Sequence, residues 1–314
     1  HKAAGAAILT ASHNPAIWNG FKFKPEYAGS ATQEITDDLE AAIGSTGQTR
    51  SMPLDLAKDQ GLVTEFDPDP PYIQRLGELV DLDLIRRAGL EIQVDAMFGA
   101  GAGYFSKVLS GVEAAGATRV QEMNSYINPS FPGIAQPEPI AQNLAGLLQT
   151  VAEAGASVGL ALDGDADRLG VVDETGTFIT TLEVFSLLAF YLLQEKGRRG
   201  ALVKGVTSSM MLNKLGQRFG VDVHEMRVGF KYIGPKMTEV DALMGGEESG
   251  GFAFQGHIPE RDGILSGLYF LEYMAHTGKK PTELIGGLFK EVGAHYYHRR
   301  DVEFQPGDRS RIEG

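Results

Sequence analysis

Cysteine is absent from the 314 residues, which excludes disulfides, thiolate nucleophiles and cysteine-ligated zinc together and suits a cytoplasmic location. Long apolar runs are absent too. No stretch approaches the roughly 18 residues a membrane-spanning helix needs, so no membrane partner is expected. Positive charge is scarce, with 28 Lys and Arg against 41 Asp and Glu and a net charge of -13. Nucleic acid, whose backbone is held by clusters of Lys and Arg, is therefore not expected as a partner, although phosphate can still be bound locally. No basic and apolar leader opens the chain. It starts at His1, one strand ahead of a loop, and ends on the polar "PGDRSRIEG", so truncation at both ends is expected.

What is present is a soluble globular composition, 43% hydrophobic and 22% charged, in a chain long enough for two or three domains. Strand and helix signals alternate from Leu90 onward. Strands are expected at 90–97, 117–123 and 157–163, with helices at 103–116 and 140–155 between them. The plan repeats with helices at 182–197, 208–220 and 231–240, strands at 201–204, 221–226 and 241–245, and two closing helices at 263–278 and 281–293. Such order predicts tandem α/β domains with mostly parallel, mixed sheets covered by helices. Sites in such sheets lie at the carboxyl ends of strands. Boundaries are expected in the Pro and Asp rich stretch "EFDPDPPY" and near the Asp173 to Gly176 turn.

Three loops carry chemistry. "TASHNP" follows the short apolar run Ala6 to Leu9, expected to be a buried strand, and places Ser12 at the strand end with its hydroxyl exposed. That position suits catalysis, and it also suits an ordinary turn. "DGDADR", residues 163 to 168, sets three alternating carboxylates on one tight loop, where each pair at 4 Å repels by roughly 4 kcal/mol at an effective dielectric near 20. A hard divalent cation such as Mg²⁺ relieves that repulsion with oxygen ligands, while a solvated acidic turn is the plainer alternative. Glu174 completes most of a calcium-loop pattern, but Arg168 stands where the sharp turn needs glycine and the flanks read as strands. "GGEESGG", 245 to 251, offers Glu247 and Ser249 as a paired acceptor and donor for sugar hydroxyls, or forms a flexible turn. "GHIPERDG" adds His257 and Arg261, either phosphate contacts or, for Arg261, a salt bridge. "VDAMFGAGAGY" fails the dinucleotide spacing at Tyr104 and reads instead as a turn that lets strand and helix pack closely.

With "NGFK" and "VGFKYIGPKM", these motifs stand in the order and spacing of the α-D-phosphohexomutase superfamily, which the sequence resembles over roughly residues 1 to 300. The resemblance implies four domains around a deep cleft. Residues 1–60 would be the later part of the phosphoserine domain, 67–177 the metal-loop domain, 178–294 the sugar-binding domain, and 295–314 a hinge towards a missing fourth domain. It implies Ser12 as the phosphoserine and an Mg²⁺ ion held by Asp163, Asp165, Asp167 and Ser12. Arg168 would steady the phosphoryl group, and Lys22 with His13 would move protons, unless His13 is structural and Lys22 a surface residue. Glu247, Ser249, Lys204, Lys231, His257 and Arg261 would bind substrate.

The implied reaction interconverts hexose 1-phosphate and hexose 6-phosphate through a hexose bisphosphate, which also serves as activator. Glucose is favoured over mannose, because Phe230 and Gly251 stand where the dual-specificity branch carries histidines. A Mg²⁺-dependent phosphatase with an aspartate nucleophile, and an inactive sugar-phosphate or metal-binding fragment, are the alternatives. Small-molecule hexose phosphates are the expected partners, and the sequence does not set an oligomeric state.

Overall fold

The computed structural model describes residues 2–45, 47, 49–111, 115–297, 306–308 and 311. Its first unit is an antiparallel pair, β1 (Gly5–Leu9) and β2 (Phe21–Pro25), with Ala7 opposite Phe23. β1 is not buried as its apolar sequence suggests. Among the described residues it pairs only with β2, and Leu9 is 77% exposed. The middle unit is a five-stranded sheet of β3 (Glu91–Asp95), β4 (Arg119–Met123), β5 (Val158–Leu162), β6 (Leu169–Val172) and β7 (Phe178–Ile179) in the order β4-β3-β5-β6-β7. β3, β4 and β5 run parallel, while β6 and β7 return antiparallel. The sheet therefore continues two residues past the boundary expected at 177, because the Asp173 to Gly176 turn closes a hairpin and does not lead out of the unit.

The third sheet contains β8 (Leu202–Gly205), β9 (Val223–Met226), β10 (Met244–Gly246) and β11 (Phe252–Phe254) in the order β11-β10-β8-β9, with only β11 antiparallel. Both larger sheets are thus mixed and mostly helix-covered, as the alternating pattern implies. The helix expected over 140–155 breaks at Leu144 into a short turn and the helix Ala145–Ala154, and Asn143 turns its amide onto the Glu138 carbonyl. The helix expected over 103–116 is assigned only at Tyr104–Leu109, with 112–114 outside the described residues. Most of the segment expected to lead away at 295–304 lies outside them as well.

One apolar core joins the two larger units. The helix Gly263–Thr277 is buried over its first twelve residues and packs against β5, β6 and β11 as well as the helix Thr181–Phe190. Gly267 makes that approach possible, since a Cβ there would lie 2.6 Å from the Phe105 ring. Every residue of β5 is buried, which explains its unbroken apolar run and fixes the loop that follows it. Tyr72 adds a polar tie between the units by donating to Asp262 at 2.9 and 3.0 Å. Asp262 in turn caps the long helix through the Leu265 amide at 2.8 Å.

Two substitutions test this packing by urea denaturation. Gly286 is exposed in the helix Pro281–Val292 with open space where a Cβ would stand. Gly286→Ala is expected to raise unfolding free energy by about 0.5–1 kcal/mol, and a loss would contradict the helix assignment. Leu160→Ala, in the shared core, is expected to lose about 2–5 kcal/mol.

Candidate active site

The carboxyl end of β5 delivers the aspartate loop, and the loop after β1 meets it from the other side. Ser12 has a φ of +56°, a left-handed conformation that is uncommon outside glycine, and it turns its hydroxyl toward the loop. Ser12 Oγ stands 3.5 Å from Asp163 Oδ2 and 3.5 Å from His13 Nδ1. Residues 151 positions apart are thereby brought to one point. Thr10 Oγ1 donates to Asp165 Oδ1 at 2.5 Å and accepts from the Ser12 amide at 2.8 Å, so one hydroxyl ties the serine turn to the metal-type loop. Lys22, on β2, donates to the other Asp165 oxygen at 2.6 Å. A cavity of 600 Å³ opens over these groups, lined by Ser12, His13, Lys22, Arg168 and Arg261 among others.

Every carboxylate of the loop has different company. Asp163 is fully buried and accepts from the backbone amides of Asp167 and Arg168 at 2.9 and 3.2 Å. Burial first, then the charge of Asp167, pushes its carboxyl well above the ordinary range. Asp165 is held below that range against its burial by the bonds from Lys22 and Thr10. Asp167 pairs with Arg261 at 2.8 Å through Oδ2, while its Oδ1 is buried without a hydrogen-bond partner. Arg168 binds Glu138 at 3.0 Å and leaves its Nε, 4.0 Å from Asp163 Oδ2, without a hydrogen bond.

No group of three or more His, Asp or Glu among the described residues is gathered closely enough to hold a metal as it stands. Lys22 and Arg261 neutralise two of the three aspartates instead. The donor set nevertheless suits a hard cation. It consists of oxygens only, and it includes an orphaned buried carboxylate oxygen on Asp167.

Arg261 is the second hub. It reaches Asp167, Glu247 at 3.2 Å and Glu260 at 3.4 Å, joining the aspartate loop to the β10–β11 turn. Glu247 is buried, and burial raises its carboxyl against the pull of Arg261. Ser249 lies half-buried in the same turn. Phe230 sits beneath the Arg261 guanidinium, 5.4 Å from ring centre to charge. A Cβ on Gly251 would collide with the arginine side chain.

The other sequence candidates are placed elsewhere. Lys204 is buried and its ammonium binds Glu225 at 2.8 Å. Lys231 donates to Gln33 at 2.8 Å. His257 bonds Asp262 at 3.0 Å and lines a separate 640 Å³ cavity that contains none of the aspartate loop. Thr10, Glu138, Glu260 and Lys24 escaped sequence reading. Lys24 and Ser30 both bind Glu260, which tethers β2 to the arginine hub. Among the described residues His13 is the one histidine at the serine, and burial followed by the nearby Arg168 charge lowers its pKa from the ordinary 6.5.

Comparison with known proteins shows the family. Three profiles of the family match in series, described as phosphoglucomutase/phosphomannomutase, alpha/beta/alpha domain I at residues 1–50, domain II at 70–176 and domain III at 182–292. A phosphoglucomutase/phosphomannomutase from Thermococcus kodakarensis is 32% identical over 99% of this chain and 65% of its own length. A phosphoglucosamine mutase from an Exiguobacterium species is 32% identical over 90% of this chain and 60% of its own. A crystal structure assigned as a phosphomannomutase from Thermus thermophilus superposes with a TM-score of 0.84 at 35% identity, over 93% of this chain and 64% of that one. The chain therefore spans less than two thirds of these relatives' length, and within that span it belongs to the phosphoglucomutase/phosphomannomutase family.

Proposed function

We propose that the full protein is a phosphohexomutase that interconverts hexose 1-phosphate and hexose 6-phosphate, with Ser12 as phosphoryl carrier and hexose bisphosphate as the intermediate. The observation that carries this reading is the approach of Ser12 Oγ to Asp163 at 3.5 Å at the mouth of a cavity lined also by Lys22, Arg168 and Arg261. As a phosphoserine, Ser12 would present its group to two arginines and a lysine. Asp163, Asp165 and Asp167 would hold Mg²⁺ together with the serine, and the bound ion supplies charge neutralisation for the transferring group.

In the forward half-reaction the bond from phosphorus to Ser12 Oγ breaks and a bond from phosphorus to the sugar hydroxyl forms. The hydroxyl proton ends on Ser12 Oγ. His13, with Nδ1 3.5 Å from that oxygen, stands where it can relay the proton, and its lowered pKa favours the neutral ring this requires. Lys22, anchored on Asp165, is the second candidate for proton transfer and keeps a charged donor over the cavity. The second half-reaction reverses these changes with the other phosphate. Such chemistry depends on placement and electrostatics more than on covalent work by the protein.

For the sugar, Glu247 and Ser249 would read hydroxyls common to both orientations, with Arg261 anchoring Glu247 and serving as a phosphate contact. Glucose phosphates are the proposed substrates, mannose phosphates come next, and glucosamine phosphates enter as a third candidate because a relative of that name matches at the same 32% identity. Phe230 and Gly251 both pack on Arg261, the arginine that pairs with Glu247. Lys204, Lys231 and His257 keep their proposed substrate roles only if they exchange the partners they hold now.

Incubation with glucose 1,6-bisphosphate is expected to add one phosphoryl mass to the intact protein and none to Ser12→Ala. An adduct that persists in the variant favours the phosphatase with an aspartate nucleophile, and absence of turnover in the wild type favours a binding module. Lys22→Met is expected to lower kcat about 10²–10⁴-fold. Chelation by EDTA should stop turnover and added Mg²⁺ restore it, whereas undiminished activity would remove the metal from the account. Relative kcat/KM for glucose, mannose and glucosamine 1-phosphates tests the substrate order, and a lead for either of the latter two overturns it.

A further inference from the structure

The motif "DAMFGAG" after β3, which the proposed chemistry leaves unused, lies directly behind the aspartate loop. Its Ala100 amide donates to the Gly164 carbonyl at 3.0 Å. A Cβ on Gly99 would stand 2.7 Å from that same carbonyl oxygen and 2.8 Å from the Asp163 carbonyl oxygen. On another flank of the loop, a Cβ on Gly164 would fall well under 3.0 Å from the Ser12 carbonyl oxygen. Three backbones are thus layered in contact: 99–100, 163–164 and 12. The Gly164 amide is also engaged, donating to the Pro137 carbonyl at 3.3 Å.

The rear layer is itself strained and fastened. Met97 and Phe98 take φ values of +45° and +58°, conformations that cost on the order of 1–3 kcal/mol each for residues other than glycine. Asp95, buried, holds them there. Its Oδ1 accepts from the Met97 amide at 2.9 Å and from Asn124 Nδ2 at 2.9 Å, while the Phe98 amide donates to the Asn124 carbonyl at 2.9 Å. Strain kept in place by a buried carboxylate, immediately behind a reacting group, is the usual sign that position matters more than local stability.

We propose that Gly164 is a positioning residue that sets the spacing between Ser12 and Asp163, and that the Asp95-fastened 96–100 turn is the stop against which this spacing is held. The inference rests on the reading of Ser12 as the phosphoryl carrier. An alanine at 164 forces the serine turn away from the loop by about 1 Å before ordinary contact is reached. A misplacement of about 1 Å in a reacting pair can cost on the order of 10²-fold in rate.

The test uses the full protein and follows phosphoryl transfer from glucose 1,6-bisphosphate to Ser12 by time-resolved intact mass, together with KM for glucose 1-phosphate. Gly164→Ala is expected to slow transfer about 10²-fold with KM unchanged, because the variant moves the carrier and leaves the sugar loop alone. Gly146→Ala, in the helix Ala145–Ala154 with open space around it, is the control and is expected to match the wild type. Should Gly164→Ala fail to fold, Asp95→Ala takes its place. It is expected to slow transfer at least tenfold, and Asp95→Asn, which keeps the accepting oxygen, is expected to recover most of the rate. Transfer at the wild-type rate in Gly164→Ala, or in a folded Asp95→Ala, overturns the inference, as does a rise in KM with an unchanged rate. A wild type that takes up no phosphoryl group overturns instead the reading of Ser12 on which the inference stands.

Discussion

Mutual repulsion among three aspartates on a six-residue loop is the constraint around which this molecule is arranged. Left alone, charges at this depth are expensive, and a buried ion needs a partner to be tolerated. Here the partners come from all three units. Lys22 arrives from β2, Arg168 from the loop itself and Arg261 from beyond β11. Lys22 and Arg261 thereby tie the first and third units to the loop. The relief is incomplete, since one oxygen of Asp167 and one nitrogen of Arg168 find no hydrogen-bond partner and burial pushes the Asp163 carboxyl well above its ordinary range. A loop left in that condition is well matched to a ligand carrying charge.

Arg261 links that loop to the region proposed to read the sugar. It shares its guanidinium among Asp167, Glu247 and Glu260, and Glu260 is tied to Lys24 and Ser30 of the first unit. A phosphate or a sugar entering the cavity would meet an arginine already oriented by carboxylates on several sides. The shared apolar core behind it, with the helix Gly263–Thr277 at its centre, keeps the β5 and β10 loops at a fixed separation. Positioning of this kind depends on packing far from the reacting atoms.

Much of this arrangement was legible in the sequence because it rests on local patterns. The alternation of strands and helices predicted tandem mixed sheets, and both larger sheets have that form. "TASHNP" and "DGDADR" announced themselves through turn chemistry and charge density, and the family resemblance predicted that they meet. Positions whose role depends on tertiary contact were harder to read. Nothing about Thr10 or Glu138 as single residues marks them as partners of Asp165 and Arg168. The apolar run in β1 read as buried, yet burial depends on what covers a strand and is not written in its own residues. Lys204 and His257 look like phosphate ligands by residue type, but each is claimed by a nearby carboxylate, Glu225 or Asp262, whose proximity only the fold reveals. The role of Gly164 was equally hidden, because what matters there is the backbone that stands next to a missing side chain.

In the proposed reaction the Ser12 oxygen and the aspartate loop serve one phosphoryl group and one cation. Phosphorus NMR of the phosphorylated full protein tests it directly when Mn²⁺ replaces Mg²⁺. Paramagnetic broadening of the phosphoserine resonance beyond detection, relieved by excess Mg²⁺, is the predicted result. A sharp resonance that ignores bound Mn²⁺ would mean that the serine and the metal occupy separate places, and the account would fail.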